Sequence, residues 1–343
     1  MHEVLVEYIR TSFDMNNDEY INRLEPIIRA ARPERLQKVL FNYFPKDAIG
    51  FLVDPAADIA CANSLYQSDP TEIITGVNMF AAWLEHTFNY PLPHIKAILE
   101  TIGSFLKMGK DLFPSAPYIF CLTAEEDKPY FWRTFTGEGG YSVGLDTAKL
   151  NASINAICER EVKSGVKPHR IMYLMPTLYS SSNAREIISY FELLYDRERR
   201  AFDSYAEGPP KDPPTDILSQ ILIAASVIKE ERFAIEREWR LVLVSTLADV
   251  QEARRSLSLS RASGAKPPKP RLKTGIFNEC AKDLHDIIRC IWVSPQGDKA
   301  ALHAKVQKQL GLLLSPMSGK EIAKDGLPFI RDSALCASQF ALI

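Results

Sequence analysis

Length, composition and charge describe an ordinary folded protein and exclude several classes of partner. The chain has 343 residues, of which 46% are hydrophobic and 24% charged, and its formal net charge at pH 7 is −2. This length and balance predict one large or two ordinary domains with a sizeable core. A net charge so close to zero gives no bulk electrostatic reason to expect nucleic acid or an anionic membrane as the main partner.

Cysteine usage and hydropathy indicate a cytoplasmic protein. The six cysteines form no C-x-x-C pair, which argues against a zinc ribbon and against a secreted disulfide scaffold. The start of the chain lacks the basic and apolar regions of a signal peptide. The longest nearly apolar run, residues 217–228, is shorter than the about 20 residues that span a bilayer. We therefore expect reduced thiols, a cytoplasmic location and no membrane partner.

The first 113 residues are predicted to be mostly helical. Apolar residues recur at helical spacing over residues 4–9, 21–28 and 95–112. One apolar and aromatic run, residues 39–44, ends at a proline and predicts a strand. We place a helical N-terminal extension at residues 1–37 and begin the main domain at residue 38.

The rest of the chain is predicted to mix strands and helices. Apolar and aromatic runs predict strands at residues 118–122, 141–145, 170–174, 239–244 and 286–293. Helical spacing predicts helices at residues 150–162, 183–202, 216–233 and 299–310. Glycines at residues 137–140 predict a turn, and the serine- and proline-rich residues 250–273 predict an exposed, mobile loop.

The common catalytic motifs are absent from the sequence. There is no G-x-x-x-x-G-K-[ST] phosphate loop, G-x-G-x-x-G turn, H-E-x-x-H metal motif or G-x-S-x-G nucleophile elbow. The six histidines are isolated from one another, so we expect no metal site. Ordinary hydrolase, kinase and dehydrogenase functions thereby lose most of their support.

Three separated segments hold the residues best suited to chemistry. The first contains C-L-T at residues 121–123, F-W-R-T-F at 131–135 and G-G-Y-S-V-G-L-D at 139–146. The second runs from Lys229 to E-R-E-W-R-L at residues 236–241. The third, S-L-Y-Q-S-D-P-T-E, lies upstream at residues 64–72.

In this order the segments resemble the bacterial family catalogued as domain of unknown function 2971. The resemblance covers residues 38–312 and leaves residues 313–343 as a C-terminal segment. The family's layout is similar to that of the ADP-ribosyltransferase superfamily, in which a small split β-sheet pair surrounds an NAD cleft. The resemblance therefore implies an α/β fold of the α+β type, with an ADP-ribosyltransferase-like split β-sheet core and NAD as the substrate.

The resemblance also implies roles for individual residues. Glu236 and Glu238 match the family's late E-x-E pair and are expected to be catalytic, with Glu238 carrying most of the chemistry. Six residues are expected to bind the NAD: Asn42, Tyr43, Thr123, Trp132, Arg133 and Arg240.

The chemistry of NAD cleavage suits paired carboxylates. Breaking the nicotinamide–ribose bond develops an oxocarbenium-like cation, which a nearby carboxylate stabilises. If residues 236–238 lie on a strand, the two carboxylates point to the same face, because side chains alternate. Arg240 returns to that face, where it either binds a phosphate or pairs with Glu238.

Structural alternatives stay open beside these roles. Glu236 and Lys229 also fit a solvated, charged helix face, and Trp132 also fits a core position. Three departures from the family pattern leave room for a degenerate cleft: Asn42 for a basic residue, Thr123 for serine and Phe135 for tyrosine.

Two classes of function follow. The first is an NAD-dependent ADP-ribosyltransferase or NAD glycohydrolase, such as a bacterial toxin or defence effector with a protein or nucleic-acid target. The second is a non-enzymatic nucleotide-sensing or protein-interaction module that keeps the fold.

Overall fold

A computed structural model describes most of the chain. The described residues are 17–31, 38–46, 59–66, 70–108, 116–137, 139–163, 170–208, 212–245, 258–259, 270–274, 287–314 and 329–333. The helix predicted at residues 4–9, most of the loop predicted at residues 250–273 and most of the C-terminal segment 313–343 lie outside these ranges.

The fold mixes helices with a largely antiparallel sheet. The strands are β1 Val39–Pro45, β2 Ala60–Asn63, β3 Tyr118–Thr123, β4 Gly140–Asp146, β5 Arg170–Pro176, β6 Leu178–Tyr179, β7 Ile228–Lys229, β8 Glu238–Ser245, β9 Ser258–Leu259, β10 Pro270–Lys273, β11 Ile288–Val293 and β12 Phe329–Asp332. The longer helices are α1 Asn17–Ala31, α2 Pro70–Phe88, α3 Leu92–Met108, α4 Thr147–Lys163, α5 Ala184–Arg197, α6 Arg199–Glu207, α7 Thr215–Ala225 and α8 Lys299–Leu314.

The main sheet confirms each strand that the apolar runs predict. β1, β3, β4, β5, β8 and β11 all belong to it. The predicted glycine turn before β4 is also confirmed, since Gly137 and Gly139 have φ angles of 60° and 150°. Glycine adopts these angles without the steric cost that a Cβ atom imposes.

The sheet consists of two halves that meet at one residue pair. In one half, β1 pairs along its whole length with β4, and β4 pairs with β11. In the other half, β8 lies between β3 and β5 and pairs with both. Within the described residues, β1 joins β3 only where Phe41 lies opposite Thr123.

Strand β8 is buried on both faces and separates two hydrophobic cores. Trp239, Leu241 and Leu243 contribute to the core beneath β4 and β11. Val242 packs into the other core, which helices α2, α5 and α7 build. Because side chains alternate along a strand, Arg240 lies on the face of Val242 and points toward these helices.

Two predicted helices differ from the observed ones. The helix predicted at residues 183–202 is divided at Glu198 into α5 and α6. The helix predicted at residues 216–233 is wrong beyond Ala225, where the chain turns into β7. Backbone pairing explains the change, because Leu178 N–H donates to Val227 O at 2.8 Å and Ser180 N–H donates to Lys229 O at 2.9 Å. These bonds replace the helical ones.

The described part of the N-terminal extension packs into the main protein. Tyr20 and Leu24 of α1 are buried in the core that α5 and α7 share. An ion pair of 2.8 Å between Arg23 and Asp196 links α1 to α5 at the surface. Across the described ranges, no helix is both long enough and apolar enough to cross a membrane.

Candidate functional site

A cavity of about 300 Å³ lies beside the Phe41–Thr123 pair, where β1, β3 and β8 come together. Most of the side chains that line it are charged or aromatic. The charged residues in its wall are Glu72, Lys229, Glu236, Glu238 and Arg240. The aromatic residues are Phe41, Tyr43, Tyr130, Phe131 and Phe135. A mainly apolar wall with a few convergent polar groups is typical of small-molecule sites.

The aromatic wall comes from β1 and from the helical segment that follows β3, residues 129–136. Tyr43 stacks on Phe131 with ring centroids 5.1 Å apart, and Phe131 stacks on Phe135 at 6.0 Å. The Tyr43 hydroxyl donates to Glu125 O at 3.1 Å, and burial raises the pKa of this phenol. Tyr130 and Phe135 remain 39% and 44% exposed, so this part of the wall is open to a ligand.

The Lys229 ammonium group lies among three carboxylates. Its Nζ is 2.7 Å from Glu236 Oε2, 2.8 Å from Glu238 Oε2 and 3.1 Å from Glu72 Oε1. The ring of Phe233 lies 5.0 Å from the same nitrogen. Burial on its own would lower the pKa of Lys229, but the surrounding carboxylates raise it above the usual value. Lys229 is therefore charged at neutral pH.

Arg240 forms the second cationic centre of the site. Its Nε lies 3.0 Å from Glu238 Oε1, and its Nη2 lies 3.1 Å from Glu238 Oε2. The same Nη2 donates to Glu72 Oε2 at 2.8 Å, while Nη1 donates to the backbone carbonyl of Ser226. The pairing of Arg240 with Glu238 that the sequence left open is thus present. This two-point contact is the strong geometry for arginine and a carboxylate.

The electrostatics keep Glu238 ionised although it is only 6% exposed. Burial raises the pKa of Glu238, but Arg240 and Lys229 outweigh that effect and hold the pKa at about 2. Three carboxylates and two cations leave the network with a formal charge of −1. The half-buried Cys121 thiol lies beside this network, and burial together with Glu238 raises its pKa well above the usual value.

Glu236 reaches the cavity from outside the strand. It ends a 3₁₀-helix, Glu231–Glu236, whereas β8 begins at Glu238, so the predicted alternation along one strand is wrong. Arg237 between them has a left-handed φ of 41°, and the resulting turn directs both carboxylates to the cavity. Glu236 Oε1 accepts a hydrogen bond of 2.8 Å from the Tyr130 hydroxyl. At 7% exposure, Glu236 does not lie on a solvated face.

Asn42 and Thr123 line the cavity, and their polar groups also brace it. Asn42 Nδ2 donates to Cys121 O at 2.9 Å, which ties β1 to β3 one step from their shared pair. Thr123 Oγ1 donates to Glu236 O at 2.6 Å and accepts from Glu125 N–H at 3.0 Å. These bonds fix the backbone that carries Glu236.

Trp132 and Arg133 lie outside the cavity wall. Trp132 is completely buried, donates from Nε1 to Asp127 at 2.7 Å and packs edge-on against Tyr43 at 4.9 Å. This position agrees with the core alternative for Trp132. Arg133 is exposed, while the following Thr134 contributes to the wall.

Sequence reasoning assigned no role in the site to Glu72 or Lys229, although it selected both segments. The sequence predicts a helix that runs through Lys229, whereas Lys229 lies in β7 with a side chain 5% exposed. Glu72 is 168 positions from Arg240, so no local pattern reports their contact. The available signal was the D-P-x-E segment of the resemblance.

Comparisons with known proteins leave the geometry as the main guide to function. No family model, curated protein or solved structure matches the chain. Within the described part of the chain, no group of three or more His, Cys, Asp or Glu side chains is arranged to hold a metal ion.

Proposed function

We propose that the chain is a nucleotide-binding enzyme that breaks an N-glycosidic bond. More particularly, we propose an ADP-ribosyltransferase-like protein of the family known as domain of unknown function 2971, with NAD as its substrate. The observation that supports this proposal is the pair Glu236 and Glu238, two carboxylates that share a cavity with aromatic rings at the junction of two half-sheets.

The proposed reaction uses the negative charge of the site. As the bond between ribose C1′ and the nicotinamide nitrogen breaks, its electron pair stays on the nitrogen, which becomes neutral. Positive charge develops at the ribose, and a carboxylate close to it lowers the barrier. Water or an acceptor nucleophile then bonds to C1′ and loses a proton. A network with a formal charge of −1 in a partly closed cavity favours such a cation.

Within this reaction the two carboxylates have different parts. Both oxygens of Glu238 are engaged by Arg240, so Glu238 supplies fixed negative charge. Glu236 is bonded to Tyr130, whose side chain is 39% exposed. A ribose hydroxyl that takes the place of the Tyr130 hydroxyl would bond directly to Glu236. The aromatic faces of Tyr43 and Phe135 provide stacking surfaces for the nicotinamide ring.

A second candidate function is a nucleotide-sensing module without catalysis. It is favoured by the saturation of Glu238, because a carboxylate held at both oxygens has little freedom to follow a reacting ribose. In this case the cavity binds the nucleotide and leaves it intact.

Incubation of the purified protein with NAD decides between the two functions. We expect free nicotinamide to appear with time, and the Glu236→Gln variant to release it about a hundredfold more slowly. Calorimetric binding of NAD without any release, with and without a mixture of protein and nucleic-acid acceptors, would support the sensing module. If the protein neither binds NAD nor releases nicotinamide, NAD is not its ligand.

A further inference from the structure

One ammonium group holds together three carboxylates that belong to three separate elements. Glu72 comes from the first turn of α2, Glu236 from the 3₁₀-helix and Glu238 from the start of β8. All three carry an oxygen within 3.1 Å of Lys229 Nζ. We propose that Lys229 is the positioning residue of the site, which keeps Glu236 and Glu238 side by side and Glu238 ionised. This inference rests on the proposed function only for the roles of those two glutamates.

The need for such a residue follows from the crowding of like charges. Two carboxylates bound to the same nitrogen at 2.7 and 2.8 Å are close neighbours. Without a cation between them, the pKa of Glu238 rises, because the charge of a neighbouring carboxylate opposes its ionisation. A shared ammonium removes this conflict and sets the separation of the pair.

Arg240 cannot take over this part from its position. It contacts Glu238 and Glu72, whereas in the described residues the ion pair of Glu236 is with Lys229. Loss of Lys229 would therefore leave Glu236 with the Tyr130 hydroxyl as its side-chain partner.

The groups around Lys229 come from several elements packed against it. They are Glu72 from α2, Cys121 from β3, Tyr130 from the helical segment after β3, Tyr179 from β6, Phe233 and Glu236 from the 3₁₀-helix, and Glu238 and Arg240 from β8. Tyr179 lies opposite Lys229 in the pair of short strands, and its hydroxyl accepts a hydrogen bond of 3.0 Å from Glu238 N–H. Arg240 is the one other cation in this set, and it raises the stability of ionised Glu238 together with Lys229. Removing Lys229 halves the positive charge that faces three carboxylates.

The test replaces the charge and follows the protonation of the site directly. Lys229→Met removes the ammonium, Lys229→Gln keeps hydrogen-bond donors without charge, and Lys229→Arg restores a cation. Carbon-13 NMR of glutamate labelled at Cδ then follows the Glu238 carboxyl as the pH is lowered, with Glu238→Gln identifying its signal. Lys96→Met is the matched control, because Lys96 pairs with Glu100 on the surface at 3.7 Å.

We expect the Glu238 carboxyl to titrate at least about one pH unit higher in Lys229→Met than in the wild type. Lys229→Gln should show the same shift, so the result does not depend on the folding of one variant. Lys229→Arg and Lys96→Met should follow the wild type to within about half a unit. An unchanged titration in the two neutral variants would overturn the inference.

The rate of nicotinamide release provides a second, independent readout. In Lys229→Met the acid limb of the pH–rate profile should move to higher pH together with the Glu238 titration. In Lys229→Arg the acid limb should lie where it does in the wild type. Absence of release from the wild type counts against the proposed function alone, because the NMR titration still reports on Lys229. A titration shift without any shift of the acid limb would remove Lys229 from the positioning role.

Discussion

Phe41 of β1 lies directly opposite Thr123 of β3, and in the described residues this pair alone joins the ladders of the two half-sheets. Thr123 holds the junction with its side chain as well as its backbone, since its hydroxyl bonds to Glu236 O and to Glu125 N–H. The junction therefore controls the position of a carboxylate that belongs to another element. The junction of the two half-sheets and the proposed active site therefore lie at the same place in the fold.

Thr123→Val tests this coupling. The substitution keeps the shape of the side chain but leaves the buried carbonyl of Glu236 and the N–H of Glu125 without this partner. We expect a loss of about 1–3 kcal/mol in the free energy of unfolding, measured by urea denaturation, and slower nicotinamide release. Thr123→Ser retains the hydroxyl and should keep most of both. Equal behaviour of the two variants would show that the hydroxyl is unimportant.

Glu236→Gln tests whether the charge of this carboxylate takes part in the reaction. The amide still accepts a hydrogen bond from Tyr130 but carries no negative charge, so the developing cation loses one electrostatic stabiliser. Nicotinamide release should fall by about a hundredfold, while NAD affinity measured by calorimetry should change little. Tyr130→Phe is the comparison variant, because it removes the hydroxyl and leaves the carboxylate. If Glu236→Gln retains the full rate, Glu236 is not part of the reaction.

Glu238→Gln should cost more stability than the sequence suggests. From the sequence alone, this conservative change leaves folding nearly intact. The ion pairs to Lys229 and Arg240 alter that expectation, because the variant leaves two buried cations with fewer partners. We expect a loss of about 3–5 kcal/mol in the free energy of unfolding. Glu100→Gln, at an exposed pair with Lys96, should change it by about 0.5 kcal/mol or less.

The same variant should have a defined pH dependence. The pKa of Glu238 falls from 4.5 to about 2 on folding, so this carboxylate stabilises the folded state above about pH 4.5. That contribution disappears as the pH falls from 4.5 through about 2. The difference in unfolding free energy between the wild type and Glu238→Gln should therefore be constant near neutrality and shrink over this range. Denaturant titrations at successive pH values measure it, and a constant difference down to pH 2.5 would contradict the assignment.

Trp132→Phe examines a residue that the resemblance assigned to NAD and the structure places in the core. The smaller ring removes the bond to Asp127 and leaves space behind Tyr43. We expect a lower melting temperature and nearly unchanged NAD affinity in the folded protein. A large loss of affinity at full stability would return Trp132 to the binding site.

Local patterns predicted the strands of the sheet well because those strands are buried. In β8, for example, the run from Leu241 to Val244 is apolar on both faces and contains no competing helical signal. The boundary of α7 was harder to predict. Residues 226–233 have helical spacing, yet the backbone at Val227 and Lys229 bonds to the β6 region instead. Pairing between distant segments overrode the local preference.

In the candidate site, too, local sequence patterns predicted some residues, while others depend on how distant elements pack. Glu236, Glu238 and Arg240 were identified within one short stretch, and all three line the cavity. Their partners Glu72 and Lys229 required knowledge of which elements pack together. A buried lysine surrounded by carboxylates has no local signature, because its environment is assembled by the fold.

The left-handed backbone of Arg237 has a consequence for recognising relatives of this chain. A β-branched residue is strongly disfavoured at a φ of 41°, whereas asparagine, aspartate and glycine tolerate it. A search pattern that treats the middle position of E-x-E as an ordinary strand residue, and so admits valine or isoleucine, selects a different geometry. Relatives that share this turn should carry glycine, asparagine, aspartate or, as here, an unbranched residue such as arginine at this position. A profile weighted in that way will separate them from proteins whose two glutamates simply alternate along a strand.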